Sequence, residues 1–348
     1  MSLAIDLALR APGLAPVADY FPLERGRYEV QAGLKILGQQ PVQGVVEHHH
    51  FTMDELLPQY LRNKQLNMAA APERYHPRSK LPPDLEREIG EWWFRQMVRD
   101  FPDRLQGSYG PGGALRLHDR WTDWHFELDV GGAMEDGQGG LRPAQGFEGL
   151  GPPVFREDMR HRSLDAFARM IAEDVAIVQR DPWSGRDGLV WIHLNSPNHW
   201  SAADKLGKDF LAVHEPVADF GAVAKAADRI IDAMINKGPF IRFAWGVATD
   251  TVLDHHPDSP AGRDLADKTP AGALEGTFLR IERQTLKGFP RHGAALFTIR
   301  TYFKPIAEIA ADPERRELLR EAISSISPEA LRYKGLAPYR DLLLQALS

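Results

Sequence analysis

FLRIERQTL (278–286) and AALFTIRTYFKP (294–305) stand on either side of the short turn GFPRHG. Two long alternating segments joined this closely pair as an antiparallel hairpin. Parallel pairing would need a crossover of about a dozen residues or more. The period of two sets Arg280, Glu282 and Gln284 on one face, and Ile281, Arg283 and Thr285 on the other. The first set reads either as a water-facing surface or as a polar pocket wall. In a pocket, Arg280 or Arg283 would grip an anionic group through forked, charge-assisted hydrogen bonds.

The rest of the chain is mixed. Residues 1–45 read as an extended arm with short elements. A short helix is expected over 52–65, begun by Thr52 and made irregular by Pro58. Leu85, Ile89, Trp93 and Met97 give a firm helix over 83–100. Residues 107–113 read as a loop, 121–130 as a strand and 131–153 as a glycine-rich loop. Leu164, Phe167, Ala168, Ile171, Val175 and Val178 suggest one helix over 163–178. A turn and a strand over 188–194 follow, then helices over 204–214 and 221–236, a strand over 240–248 and a polar loop over 254–276. A C-terminal helix over 312–325 and a short last one complete the reading. The pattern is α+β, not the strict alternation of a doubly wound sheet. Three parts are expected to form one compact unit: an N-terminal arm and helical region (1–150), a core (151–310) and a C-terminal helical extension (311–348).

Cysteine is absent, so disulfides, Fe–S clusters, thiolate nucleophiles and a thiolate haem ligand are excluded. GxGxxG, GxxxxGK[ST], GxSxG and HExxH are also missing, which disfavours a Rossmann dehydrogenase, a P-loop NTPase and an α/β-hydrolase. The net charge of -6, without a dense basic run, points away from nucleic acid. No run reaches the roughly 20 apolar residues of a membrane span, and no signal peptide is evident. The expected location is cytoplasmic.

Histidine chemistry remains. His48, His49 and His50 are consecutive, so their side chains diverge; they read more readily as a solvated cluster than as a ligand set. His256 and Asp258 are half of a two-His-one-carboxylate iron triad, with His292 a possible third ligand. In HLNSPNHWSAADKLGKDFLAVHEPV (193–217), His214 ends a helix just before Glu215 and Pro216. There a neutral imidazole can point into a cavity and ligate haem iron. His199 is the other candidate in this stretch.

NHWSAADKLGKDFLAVHEPV, RFAWGV and LRIERQTLKGFPRHGAALFTIRTYFKPI together resemble the alpha subunits of haem-dependent oxidative N-demethylases, from about Phe21 to Ala337. The resemblance implies a PAS-like antiparallel sheet with packed helices, binding haem b. It implies oxidative demethylation of a small secondary amine such as dimethylamine by dioxygen, releasing formaldehyde. Electrons would come from NADPH through a partner reductase carrying flavin and Fe–S groups. The matching candidates for the histidine that holds haem iron are His214, which is preferred, and His199. Arg280, Glu282 and Arg283 match the family's polar strand, with Arg280, Arg283 and Trp200 expected as haem contacts, and Trp245 matches a family aromatic position that would line the pocket. An alkylamine is cationic at neutral pH, so Glu282 would hold it, and the face of Trp245 or Trp200 would add cation–π attraction. The triple histidine has no counterpart in the family pattern. A cysteine-free chain without a nucleotide fingerprint needs a separate reductant if it is an oxygenase. The rival readings are a haem-PAS gas or redox sensor, a non-haem iron oxygenase using His256, Asp258 and His292, and a haem-free binding protein.

Overall fold

The computed structural model describes residues 3–128, 138–139, 142–154, 162–259 and 269–348. Parts of the expected loops 131–153 and 254–276, and the last two residues of the expected strand 121–130, lie outside the described residues. The helices used below are Leu57–Ala70 (α1), Pro83–Asp100 (α2), Arg162–Arg169 (α3), Phe210–His214 (α4), Ala227–Asn236 (α5) and Pro313–Ser324 (α6). The strands are Lys35–Ile36 (β1), Leu105–Tyr109 (β2), Leu115–Asp119 (β3), Trp124–Leu128 (β4), Asp174–Arg180 (β5), Asp187–His193 (β6), Phe240–Ala248 (β7), Phe278–Phe289 (β8) and Ala294–Pro305 (β9).

The expected hairpin is β8–β9, paired from Phe278↔Pro305 to Phe289↔Ala294. Gly293 closes its turn at φ 58°, where a Cβ would also press on the Arg180 carbonyl at 3.1 Å. Around the hairpin grows a fully antiparallel sheet in the order β1-β7-β8-β9-β5-β6. A second, smaller antiparallel sheet contains β2, β3 and β4. The α+β expectation holds.

The expected helix over 163–178 is two elements. Only 162–169 is helical, and 174–180 is strand β5. The apolar 3.6-period ran on by coincidence into Val-Ala-Ile-Val, which is buried on both faces and so carries no strand alternation. Buried Lys64 fixes the break: its Nζ donates to the carbonyls of Ala168 at 2.6 Å and Glu173 at 2.5 Å. The Ala168 carbonyl would otherwise be stranded at the buried helix end, and the Glu173 carbonyl just ahead of β5. The helix expected over 52–65 is Leu57–Ala70, with Pro58 in its first turn, where proline is tolerated. Residues 107–113 are not all loop, since Gly107–Tyr109 belong to β2. The segments 204–214 and 221–236 each split into two short helices; Gly207, at φ 81°, lies in the first break.

The two faces of the large sheet are covered differently. On the back, α1, α2 and α3 pack a core that includes Phe51, Trp93, Ile177, Trp191 and Leu296. The N-terminal arm and α6 extend it over Leu279, Ile281 and Tyr302. On the front, α5 seats Ile231, Met234 and Ile235 on Val178, Phe240, Leu286 and Ala295. Gly288 permits this, because a Cβ there would lie 2.1 Å from the Ile235 carbonyl oxygen.

Two buried histidines set the acid response. Burial, aided by Arg283, pushes His50 down to about 3. Burial does the same to His193, against the pull of Asp165. The unfolded chain therefore binds more protons between pH 6.5 and 3, so both contributions are lost as pH falls through that window. Asp174, raised to about 6 by burial, works in the opposite sense below pH 6. The net expectation is a loss of about 2 kcal/mol from pH 6.5 to 5, at ~1.4 kcal/mol per group per unit. Denaturant unfolding at the two pH values measures it; unchanged stability would contradict the buried neutral state.

Candidate functional site

The register of β7, β8 and β9 assigns the front face. Arg242 lies opposite Gln284, Ala244 opposite Glu282, and Gly246 opposite Arg280. The same rows continue to Ile299, Thr301 and Phe303. Helix α5 does not reach this end of the sheet. Ala244 and Gly246 contribute almost no side chain and stay partly exposed. A Cβ on Gly246 would find only the Lys334 ammonium, at 3.9 Å. The result is a flat, shallow floor, about 13 Å from Arg242 to Gly246 at ~3.3 Å per residue.

Charge on the floor is mostly positive. Glu282 lies among Arg242, Arg280 and Lys334. Its Oε1 is 3.8 Å from Arg280 Nε, and its Oε2 accepts from Gln284 Nε2 at 3.0 Å. Arg280 is buried; its Nη2 donates to the Ser196 carbonyl at 2.8 Å and to Thr301 Oγ1 at 3.3 Å. Its Nε and Nη1 have no hydrogen-bond partner, nor has Arg242 Nε. Buried guanidinium donors left open are costly unless a ligand takes them. Burial lowers the pKa of Arg242, Arg280 and Lys334, and Glu282 opposes this in each case.

His214 stands at the end of α4, itself capped by the Asp209 carboxylate accepting from Ala212 N–H. Its Nδ1 is 2.7 Å from the Phe210 carbonyl. A carbonyl only accepts, so Nδ1 carries the proton and Nε2 keeps its lone pair. The ring stacks on Phe220 at 4.8 Å and tilts against Phe210 at 4.4 Å. Burial, with the charges of Arg242 and Lys205, keeps it neutral by lowering its pKa. These are the properties of an oriented metal ligand.

His199 borders the other end, near Arg280. Its backbone is left-handed (φ 63°) and its ring stacks on His255 at 5.3 Å. His255 Nε2 is in turn 2.9 Å from Asp250 Oδ1. Burial lowers the pKa of His199, and His255 and Arg280 add to the effect. Trp200 packs with Leu206 and Phe297 beside the floor.

Two expected residues turn the other way. Trp245 alternates with Ala244 and Gly246, so the register puts it on the back, edge-on to Tyr28 at 5.7 Å. It does not line the wall that carries Glu282. Arg283 also faces the back, where its Nη2 donates to Glu47 Oε2 at 2.9 Å and to the His49 carbonyl at 2.5 Å. Its guanidinium is spent on holding the N-terminal arm. The histidine triplet serves through its backbone: the His50 carbonyl also accepts from Arg283, and the His50 ring meets Trp92 edge-on at 5.0 Å.

The iron triad is not assembled. His292 Nε2 is 3.0 Å from Glu88 on α2, while His256 Nδ1 lies 3.6 Å from the exposed Asp258. Among the described residues the one set with metal-ligand spacing is His118, Asp123 and His125, on the small sheet. Sequence reasoning missed Arg242, Phe220 and Lys334 at the floor. Arg242 was legible in RFAWGV, where it shares a parity with the small residues; nothing in the sequence points to Lys334.

The residues fit haem. An imidazole with a free Nε2, a floor without bulk, aromatic flanks and surplus guanidinium donors are what a planar dianionic macrocycle requires. The family model described as "Haem-dependent oxidative N-demethylase, alpha subunit-like" matches residues 42–344. The chain belongs to that family, and the description implies a partner subunit. No helix among the described residues is long and apolar enough to cross a membrane.

The two arginines separate by experiment. Arg283→Gln is expected to cost about 3–5 kcal/mol in denaturant unfolding, because it leaves the Glu47 carboxylate with the Tyr20 hydroxyl but no cation and takes a donor from the His49 and His50 carbonyls. Arg280→Gln is expected to cost under about 1.5 kcal/mol. Equal costs would place both in the scaffold.

Proposed function

We propose that this member of the N-demethylase alpha-subunit family binds haem b over the Ala244–Gly246 floor and demethylates a small secondary amine such as dimethylamine. The observation that carries the reading is His214, whose Nδ1 is committed to the Phe210 carbonyl, which leaves the Nε2 lone pair available. The antiparallel sheet, with its short helices inserted between β6 and β7, supports the PAS-like reading.

In this reading His214 Nε2 would hold the haem iron, with His199 the alternative. Arg280 and Arg242 would hold the propionates with their open donors, and Trp200, Phe210 and Phe220 would border the group. When bound, haem supplies the monooxygenase-type oxidation of an N-methyl group with dioxygen, after which the carbinolamine releases formaldehyde. Glu282 binds the alkylammonium ion. Arg242, Arg280 and Lys334 surround that carboxylate, and Gln284 orients one of its oxygens. Trp245 acts from beneath the floor, as the backing of β7 rather than as a substrate wall. Electrons reach the site from NADPH through a partner reductase with flavin and Fe–S groups, because the chain has no cysteine to hold a relay.

A haem titration read at the Soret band tests this. His214→Ala is expected to lose the native spectrum, while His199→Ala keeps it; the reverse moves the ligand to His199. Glu282→Gln is expected to bind haem normally but to weaken dimethylamine, followed by the spectral shift, at least tenfold (~1.4 kcal/mol). Haem uptake without amine turnover under a reductant would favour the sensor, and no uptake would refute the reading.

A further inference from the structure

We propose that His118, Asp123 and His125 form a second site, on the small sheet, for a borderline divalent cation such as Zn²⁺. His118 and His125 are direct cross-strand partners on β3 and β4. The tight turn between the strands carries Asp123, held at φ 57°, a left-handed conformation uncommon outside glycine. That turn brings one carboxylate oxygen to both rings: Asp123 Oδ1 is 3.3 Å from His118 Nε2 and 3.6 Å from His125 Nε2. Donors sharing a tetrahedral ion at ~2.1 Å stand about 3.4 Å apart. The other carboxylate oxygen, Oδ2, accepts the Arg142 N–H at 3.2 Å, which fixes the carboxylate from behind.

The imidazoles are stacked, 4.0 Å apart and 10° from parallel. To share an ion they must lean toward each other about their outer torsions. His125 is more than half exposed and has room to do so. With two imidazoles and one carboxylate as ligands, water completes the shell. The donor set suits Zn²⁺, Co²⁺ or Ni²⁺ and not the all-oxygen preference of Mg²⁺ or Ca²⁺. The same contacts without a metal are a histidine–carboxylate hydrogen-bonded cluster, and the test separates the two.

The full chain, stripped with chelator, is titrated with Zn²⁺ by calorimetry and with Co²⁺ by visible absorption. One ion per chain is expected at these residues, with the intense d–d bands of a four-coordinate Co²⁺. His118→Ala, Asp123→Asn and His125→Ala should each weaken that ion at least tenfold, while His48→Ala should not. Zn²⁺ should also shield the two histidines from diethyl pyrocarbonate, as read by peptide mass. His125→Ala removes an exposed side chain, so its loss of binding would not reflect unfolding. Unchanged Zn²⁺ affinity in all three variants, or no shielding, would overturn the proposal in favour of the hydrogen-bonded cluster.

Discussion

Arg283 and Arg300 lie directly opposite each other on the back of the hairpin, both fully buried. Two like charges in that position repel, and burial strips both of water. The structure tolerates them because two acids arrive from the N-terminal segment. Glu47 takes Arg283, and Asp54 takes Arg300 at 2.9 Å and 3.0 Å. Tyr60 of α1 completes the second site, with its ring centroid 3.6 Å from the Arg300 guanidinium. The arm, α1 and the hairpin are thus tied at two charged points, and neither tie can be broken without leaving an unpaired ion inside the protein.

This tie leaves the front of the sheet free. With the back sealed by α1, α2, α3, α6 and the arm, the fold does not need the whole front for its core. Helix α5 covers one end, and the other presents Ala244, Gly246 and a set of cations around Glu282. Arg280 and Arg283 show the division most plainly. They are three positions apart on one strand, so they point to opposite faces. Arg283 has its donors filled by the protein, whereas Arg280 Nε and Nη1 have no hydrogen-bond partner, with Glu282 Oε1 3.8 Å from Nε.

The hairpin, the 83–100 helix and the parity of Arg280, Glu282 and Gln284 were legible because alternation and helical period are strong over long runs. The same parity rule sets Trp245 against Ala244 and Gly246 in RFAWGV; a match to a family aromatic position carries no information on which face the ring takes. The 163–178 helix failed for a different reason. A strand buried on both faces shows no period of two, and the Lys64 side chain that ends α3 comes from 104 residues upstream of Ala168. Lys334 reaches the floor from the C-terminal extension, and His118 meets His125 only through strand register. Long-range pairings of this kind leave no local trace in a sequence.

Haem titration of Gly246→Phe would decide whether haem lies over the bare floor of β7. The position is an open strand site, so the apoprotein should unfold at the parent midpoint while the new ring occupies the floor. Haem affinity is expected to fall by a hundredfold or more, about 2.7 kcal/mol or greater. A Soret band and affinity equal to the parent's, in a protein of equal stability, would place haem elsewhere.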